Sequence, residues 1–111
     1  MKTIVQVLKT LSDKNRLRII ALLADKKMCV CEISFVLKVT PAAVSRHLKK
    51  MKAAGLVESE QEGYWTNYFL IHNNKVQSIL REVGRWLSED KDILADKDKA
   101  QKADRIKLCC K

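Results

Sequence analysis

Three glycines and one proline in 111 residues leave little material for loops of special backbone geometry. No cysteine opens a Gly- or Ser-rich turn closing on an arginine, so the oxyanion-binding loop of a thiol-dependent reductase has no counterpart in the chain. Long apolar runs are missing too. The longest, Ile19 to Ala24, falls far below the roughly 18 residues that span a bilayer. The apolar start at Ile4 and Val5 is broken by Gln6 and Lys9 too soon for a secretory signal. These absences predict a cytoplasmic protein with no membrane partner and no enzymatic role. No internal repeat is present.

Positive charge, by contrast, is plentiful. The net charge is +9, and residues 1–54 hold 12 Lys/Arg against 3 Asp/Glu while the remainder holds 10 of each. Lysine serving solubility alone would be spread more evenly, so a surplus confined to one half points to a polyanionic partner. The length fits one domain and is short enough that a second copy helps to complete the core. In a reducing compartment, four cysteines read as thiols for metal or redox chemistry rather than as a disulfide framework.

The stretch from Thr40 to Gly55 organises the rest. Thr40 is an N-cap, Pro41 sits where its missing N–H costs nothing, and Gly55 supplies a left-handed stop. Val44, Leu48 and Met51 recur at helical spacing and turn inward. Ala42, Ser45, Arg46, Lys49 and Lys50 occupy the opposite face, with His47 at its edge. With Thr40 they form the candidate DNA-reading set: small residues at the start for close approach to a groove, then cations for phosphate or a guanine edge. An amphipathic helix with merely solvated lysines has the same spacing, and only the context separates the two.

Upstream, Thr3 to Leu11 reads as a short helix with Ile4, Leu8 and Leu11 on one face. Ser12 or Asp13 then caps a second helix with Leu17, Ile20, Ala21 and Ala24 inward, a stripe that Leu23 and Ile19 widen; Lys14, Asn15, Arg16 and Arg18 form a solvated face able to touch phosphate at the helix start. A third helix from Cys31 to Leu37, a short turn and the capped helix give a helix-turn-helix order. Leu56 to Glu60 and Tyr64 to Ile71 are strand-like runs around a turn at Gln61-Glu62-Gly63, a wing whose aromatics read as cross-strand packing. Asn73 or Asn74 caps a last helix with Val76, Ile79, Leu80, Val83, Leu87 and Leu94 along one stripe. From Asp90 to Lys107 charges alternate, as in a solvated helix or mobile tail. The expected fold is mainly α with a small β-hairpin, a dimeric winged helix-turn-helix. Its DNA-binding and dimerisation domain covers 1–90, and 91–111 form a charged helix or tail ending in a cysteine pair. The seam expected of the dimer joins Ile4, Leu8 and Leu11 to Val76, Ile79, Val83 and Leu87.

Asp13 with Arg16-Leu17-Arg18-Ile19-Ile20, Cys29-Val30-Cys31-Glu32-Ile33, Val-Ser-Arg-His-Leu inside residues 40–57, and the Gly-centred turn Glu62-Gly63-Tyr64-Trp65 follow one another in a telling order. In that order they resemble the ArsR/SmtB family of metal-responsive repressors, its arsenic-responsive branch in particular. The resemblance implies a homodimer that binds an inverted-repeat operator in double-stranded DNA. Members often carry arginine in the wing, where this chain has Glu58, Glu60 and Glu62. Zinc and nickel members pair His with carboxylates on the last helix, a pattern that Glu89, Asp90 and Asp92 lack.

Cys29 and Cys31 straddle the start of the third helix, where the helix dipole with Lys26 and Lys27 favours thiolate and hence thiophilic ions. Two small buried residues at a helix start are the plainer alternative. The resemblance implies that Cys-Val-Cys here is the arsenite or antimonite site, with Ser34 where a third cysteine is often found. Cys109 and Cys110 remain as further metal ligands or as an incidental terminal pair. Residues i and i+2 of a regular helix point about 200° apart, so joint chelation is expected to open the first turn. Competing readings are a cadmium, lead or zinc sensor using four thiols, a thiol-redox or persulfide sensor, a thiol enzyme such as an arsenate reductase, and a metal buffer.

Overall fold

The computed structural model describes residues 2–72 and 74–103. Helix α1 (Lys2–Leu11) leads to α2 (Lys14–Asp25), capped by Asp13, whose carboxylate accepts the Arg16 N–H at 3.0 Å. Of the first helix's apolar face, Leu11 joins Val7 in the domain's own core, so it drops out of the expected seam, while Ile4, Val5 and Leu8 stay exposed. The stripe expected on α2 departs from the fold at Leu22 and Ala24. Ile19 through Leu23 are all buried, Leu22 included, and Ala24 is exposed. A helix buried on every side at one level has neighbours all round it, and α2 packs against α1 and, beyond it, against every later helix and the sheet.

Those neighbours are α3 (Val30–Leu37), α4 (Pro41–Ala53), α5 (Asn74–Leu87) and α6 (Lys91–Gln101), with strand β3 (Trp65–Leu70). Strand β3 is the centre of a three-stranded antiparallel sheet whose order is β1-β3-β2, where β1 is Met28–Cys29 and β2 is Val57–Glu62. The hairpin is as expected, but its turn lies later. Glu62 pairs with Trp65 around Gly63 and Tyr64, and Gly63 takes φ +59, the positive first position of a II′-type loop. β1 was not foreseen, because two residues display no alternation to read.

The last helix is in fact two. α5 ends at Leu87, and Asp90 caps α6 by accepting the N–H groups of Asp92 and Ile93 at 2.9 and 3.2 Å. Leu94 therefore leaves the α5 stripe and sits exposed on α6. Over its described part, the stretch expected to be solvated or mobile is a docked helix: Ile93, Asp96 and Ala100 are buried, and α6 packs on α2 and α3. The Arg18 guanidinium grips the Asp96 carboxylate in a two-pronged pair at 2.7 and 2.9 Å. Asn73, Cys109 and Cys110 lie outside the described residues. Among the described residues, no helix is long and apolar enough to cross a membrane.

Candidate nucleic-acid interface and thiol pair

α4 is fixed at both ends by its own sequence. The Thr40 hydroxyl accepts the Ala43 N–H at 3.1 Å and Pro41 occupies the first helical position. At the other end Gly55 turns left-handed at φ +78, the Leu56 N–H donates to the Met51 carbonyl at 2.9 Å and the Gly55 N–H to that of Lys52 at 3.0 Å. That is a Schellman stop, completed by burial of Met51 and Leu56 together. Val44, Leu48 and Met51 are inside. Thr40, Ala42, Ser45, Arg46, Lys49 and Lys50 are all exposed, and among the described residues no ion pair engages the three cations.

His47 is half-buried against the start of α2. Burial holds its pKa below the ordinary value, opposed by Asp13 and reinforced by the charges of Arg16, Lys50 and Arg46. A neutral, half-buried imidazole fits packing better than base reading. Asp13 in turn is raised by its own burial, but the Arg16 N–H and the nearby Arg16 and His47 charges outweigh this and leave it below its ordinary value.

The acids of the wing are engaged within the chain. Glu58 pairs with Lys52 of α4 at 3.0 Å and Glu60 with Lys27 at 2.8 Å, while Glu62 accepts from the buried Asn67 amide at 2.8 Å. Tyr64, at the tip, is fully in solvent.

The thiols flank the start of α3 but stand in different states. Cys29 is buried and extended (φ −91, ψ 167), the cap residue and the last residue of β1. Cys31 lies within the helix and is half-buried. Only one of the pair is thus helical, and joint ligation has to displace a cap rather than unwind a turn that holds both. Cys29 and Glu32 form a capping box in which sulfur replaces the usual hydroxyl: Glu32, itself buried, accepts the Cys29 N–H at 3.0 Å, and Sγ faces the Glu32 N–H. Cys-x-x-Glu is that motif with a sulfur in it, a local signal for the role of Glu32. Lys26 and Lys27, expected to support thiolate, are drawn elsewhere, Lys26 to the Ala100 carbonyl at 3.4 Å and Lys27 to Glu60 and the Phe69 ring.

From this pair, two connections lead outward. Backbone pairing joins Cys29 to Asn67 of the wing strand β3. At the far end of α3, Lys38 adopts φ 58 and the Ser34 hydroxyl donates to the Val39 carbonyl at 2.6 Å, tying off the turn into α4. Ser34, standing where a third thiol was sought, is a structural tie. Among the described residues no three His, Cys, Asp or Glu side chains converge as a metal cage.

A capped, exposed cationic helix behind a short turn, followed by a hairpin, defines a winged helix-turn-helix DNA-binding protein. Residues 13–59 match the sequence model of the family described as "Bacterial regulatory protein, arsR family". The cadmium resistance transcriptional regulatory protein CadC of Listeria innocua is 38% identical over 83 residues, covering 74% of this chain and 68% of the relative. The arsenic resistance transcriptional regulator ArsR2 of Pseudomonas putida is 30% identical over 112 aligned positions, covering 94% and 95%. Among solved structures, HlyU from Vibrio cholerae superposes with TM-score 0.72 at 27% identity, over 79% of this chain and 95% of its own. The homodimeric winged helix-turn-helix DNA-binding domain of Mb0332 from Mycobacterium bovis gives 0.69 at 27%, over 79% and 81%. The chain belongs to the ArsR/SmtB family of transcriptional regulators.

Proposed function

We propose that this regulator is a homodimeric repressor that leaves an inverted-repeat operator when arsenite or antimonite binds Cys29 and Cys31, with Cys109 or Cys110 as third donor. The observation that carries the reading is the place of Cys29: a thiol in the cap position of the helix that is tied directly to α4. Similarity to ArsR2 along almost the whole chain, C-terminal part included, supports the arsenic branch.

When bound, trivalent arsenic supplies short bonds to three sulfurs. Drawing Cys29 toward Cys31 takes Sγ from the Glu32 N–H and strains the Cys29–Asn67 pairing, so the start of α3 and the wing loosen together. Through the Ser34–Val39 tie, a tilt of α3 reaches α4 and misaligns it with its twin across the dimer. By linkage, the inducer binds the DNA-free form more tightly by the factor by which it weakens DNA binding, typically about 1–3 kcal/mol.

The docked α6 revises how the tail thiols would approach. Lys26 donates to the Ala100 carbonyl and Lys97 pairs with Asp25 at 3.3 Å, so α6 ends beside the turn that leads into Met28 and Cys29. α6 and its closing turn run to Ala103, and from there to Cys109 the chain reaches at most roughly 20 Å, against at most about 10 Å from Lys26 to Cys29. The same subunit can therefore supply the third sulfur. For the dimer, Ile4 and Leu8 of α1 are 49% and 53% exposed and Trp86 of α5 80%, while Val76, Ile79 and Val83 are half-buried against the domain's own core and Leu87 is half-buried. A second copy covers them most simply.

Likeness to CadC favours one second reading, a cadmium, lead or zinc sensor with all four cysteines as ligands. A gel shift on the DNA upstream of the protein's own operon tests repressor binding, and X-ray absorption of the loaded protein separates the readings. Three sulfurs around arsenic, falling to two when Cys109 and Cys110 are both serine, support arsenite. Tight binding of cadmium by four sulfurs, with no release from DNA by arsenite, transfers the assignment to the second reading.

A further inference from the structure

Beside the exposed face of α4 lies a groove of about 270 Å³, lined by Gln6, Lys9, Thr10, Arg16, Lys50 and Ala53. We infer that this groove holds a phosphodiester group of the operator backbone, so that α1 and α2 share the DNA contact with α4. The inference rests on the DNA-binding reading and carries it to residues outside the helix-turn-helix.

Arg16 is pinned in place. Its Nε donates to the Thr10 carbonyl at 2.7 Å, its guanidinium lies 3.9 Å from the Asp13 carboxylate, and the side chain is only 13% exposed. The carbonyl that holds it is itself set by the first helix, where the Thr10 hydroxyl donates to the Gln6 carbonyl at 2.7 Å. A solvated arginine at this position would have to be ordered on binding, whereas this one is ordered beforehand. Lys9 and Lys50 line the same groove from α1 and α4; both are exposed, and no ion pair among the described residues engages either. Three cations therefore meet at one cleft, and the nearby Asp13 offsets one of them. Lys50 also belongs to the exposed run of Arg46, Lys49 and Lys50, so the groove continues the face offered to DNA. An anion held in line with that face is a backbone phosphate, which positions the protein without reading sequence.

The test measures affinity for an operator duplex and a scrambled duplex over a range of salt concentrations, using wild type, Lys9→Gln, Lys9→Glu and, as a charge control, Lys91→Gln on α6. Lys9 is exposed, so its variants keep the fold. The expected result is that Lys9→Gln weakens both duplexes by the same factor and lowers the salt slope by about 1 per subunit. Lys9→Glu weakens them further, and Lys91→Gln leaves the slope unchanged. An unchanged slope for Lys9→Gln, or an equal loss for Lys91→Gln, overturns the groove while Arg46→Ala still reports on the DNA reading. Absence of DNA binding by wild type overturns both. Replacing chloride by inorganic phosphate at equal ionic strength completes the test. Competition with the duplex that disappears in Lys9→Gln shows that free and esterified phosphate contend for the groove and supports the inference, whereas equal competition in wild type and Lys9→Gln counts against it.

Discussion

The two helices of the helix-turn-helix start from the same backbone arrangement, an extended cap residue ahead of the first turn, but close it with different atoms. At α4 the cap is the oxygen of Thr40, backed by Pro41; at α3 it is the sulfur of Cys29, backed by Glu32. A hydroxyl cap contributes about 1 kcal/mol, whereas thiol sulfur is a weak acceptor. α4 therefore starts from the stronger cap and α3 from the weaker one, the contact that an inducer would displace under the proposed function.

The largest expected effect falls on the α3 side, which leans on α6. Asp96→Ala leaves Arg18 without its carboxylate in a mostly buried site and should lower stability by about 3 kcal/mol in urea denaturation. A loss below about 1 kcal/mol would mean that α6 does not brace the domain. On the α4 side, Arg46→Ala should weaken operator binding by roughly 1–3 kcal/mol with the fold intact. Equal affinity would show that the face has been misassigned.

The caps themselves give the sharpest contrast. Thr40→Ala should cost about 1 kcal/mol of stability. Cys29→Ser replaces the weak sulfur by a true cap oxygen and should leave stability within about 1 kcal/mol of wild type while abolishing the inducer response. If Cys29→Ser destabilises by about 2 kcal/mol or more, the sulfur is more than a weak cap and the comparison fails.

The smallest effect is one of pH. His47 has a folded pKa below its ordinary 6.5, so the unfolded chain takes up its proton first as pH falls. The stability linked to neutral His47 is therefore present above about 6.5 and is lost as pH falls through that value. Asp13, held below its ordinary 3.8, adds a second loss only in stronger acid. Melting temperatures between pH 7.5 and 5.5 should fall for wild type and flatten for His47→Gln; parallel curves would remove His47 from this role.

How far these features could be read in the sequence follows from where their signals lie. α4 was legible residue by residue because its caps and its apolar spacing are both local. α6 was misread because Asp96 and Arg18, distant in sequence, hold it where an apolar stripe would usually be sought. Strand β1 is set by pairing with β3, and Leu22 is buried by neighbours on a side of α2 that periodicity treats as outward. That Cys29 and Cys31 flank the start of α3 was legible, but not that one caps the helix and the other lies inside it, since these positions meet at a boundary that sequence places only loosely.

Release of DNA by a thiophilic inducer tests the central claim most directly. Fluorescence anisotropy of a labelled operator duplex, titrated with arsenite, should show wild type dissociating while Cys29→Ser and Cys31→Ser stay bound at every concentration. Release of either serine variant at the wild-type arsenite concentration would contradict the account.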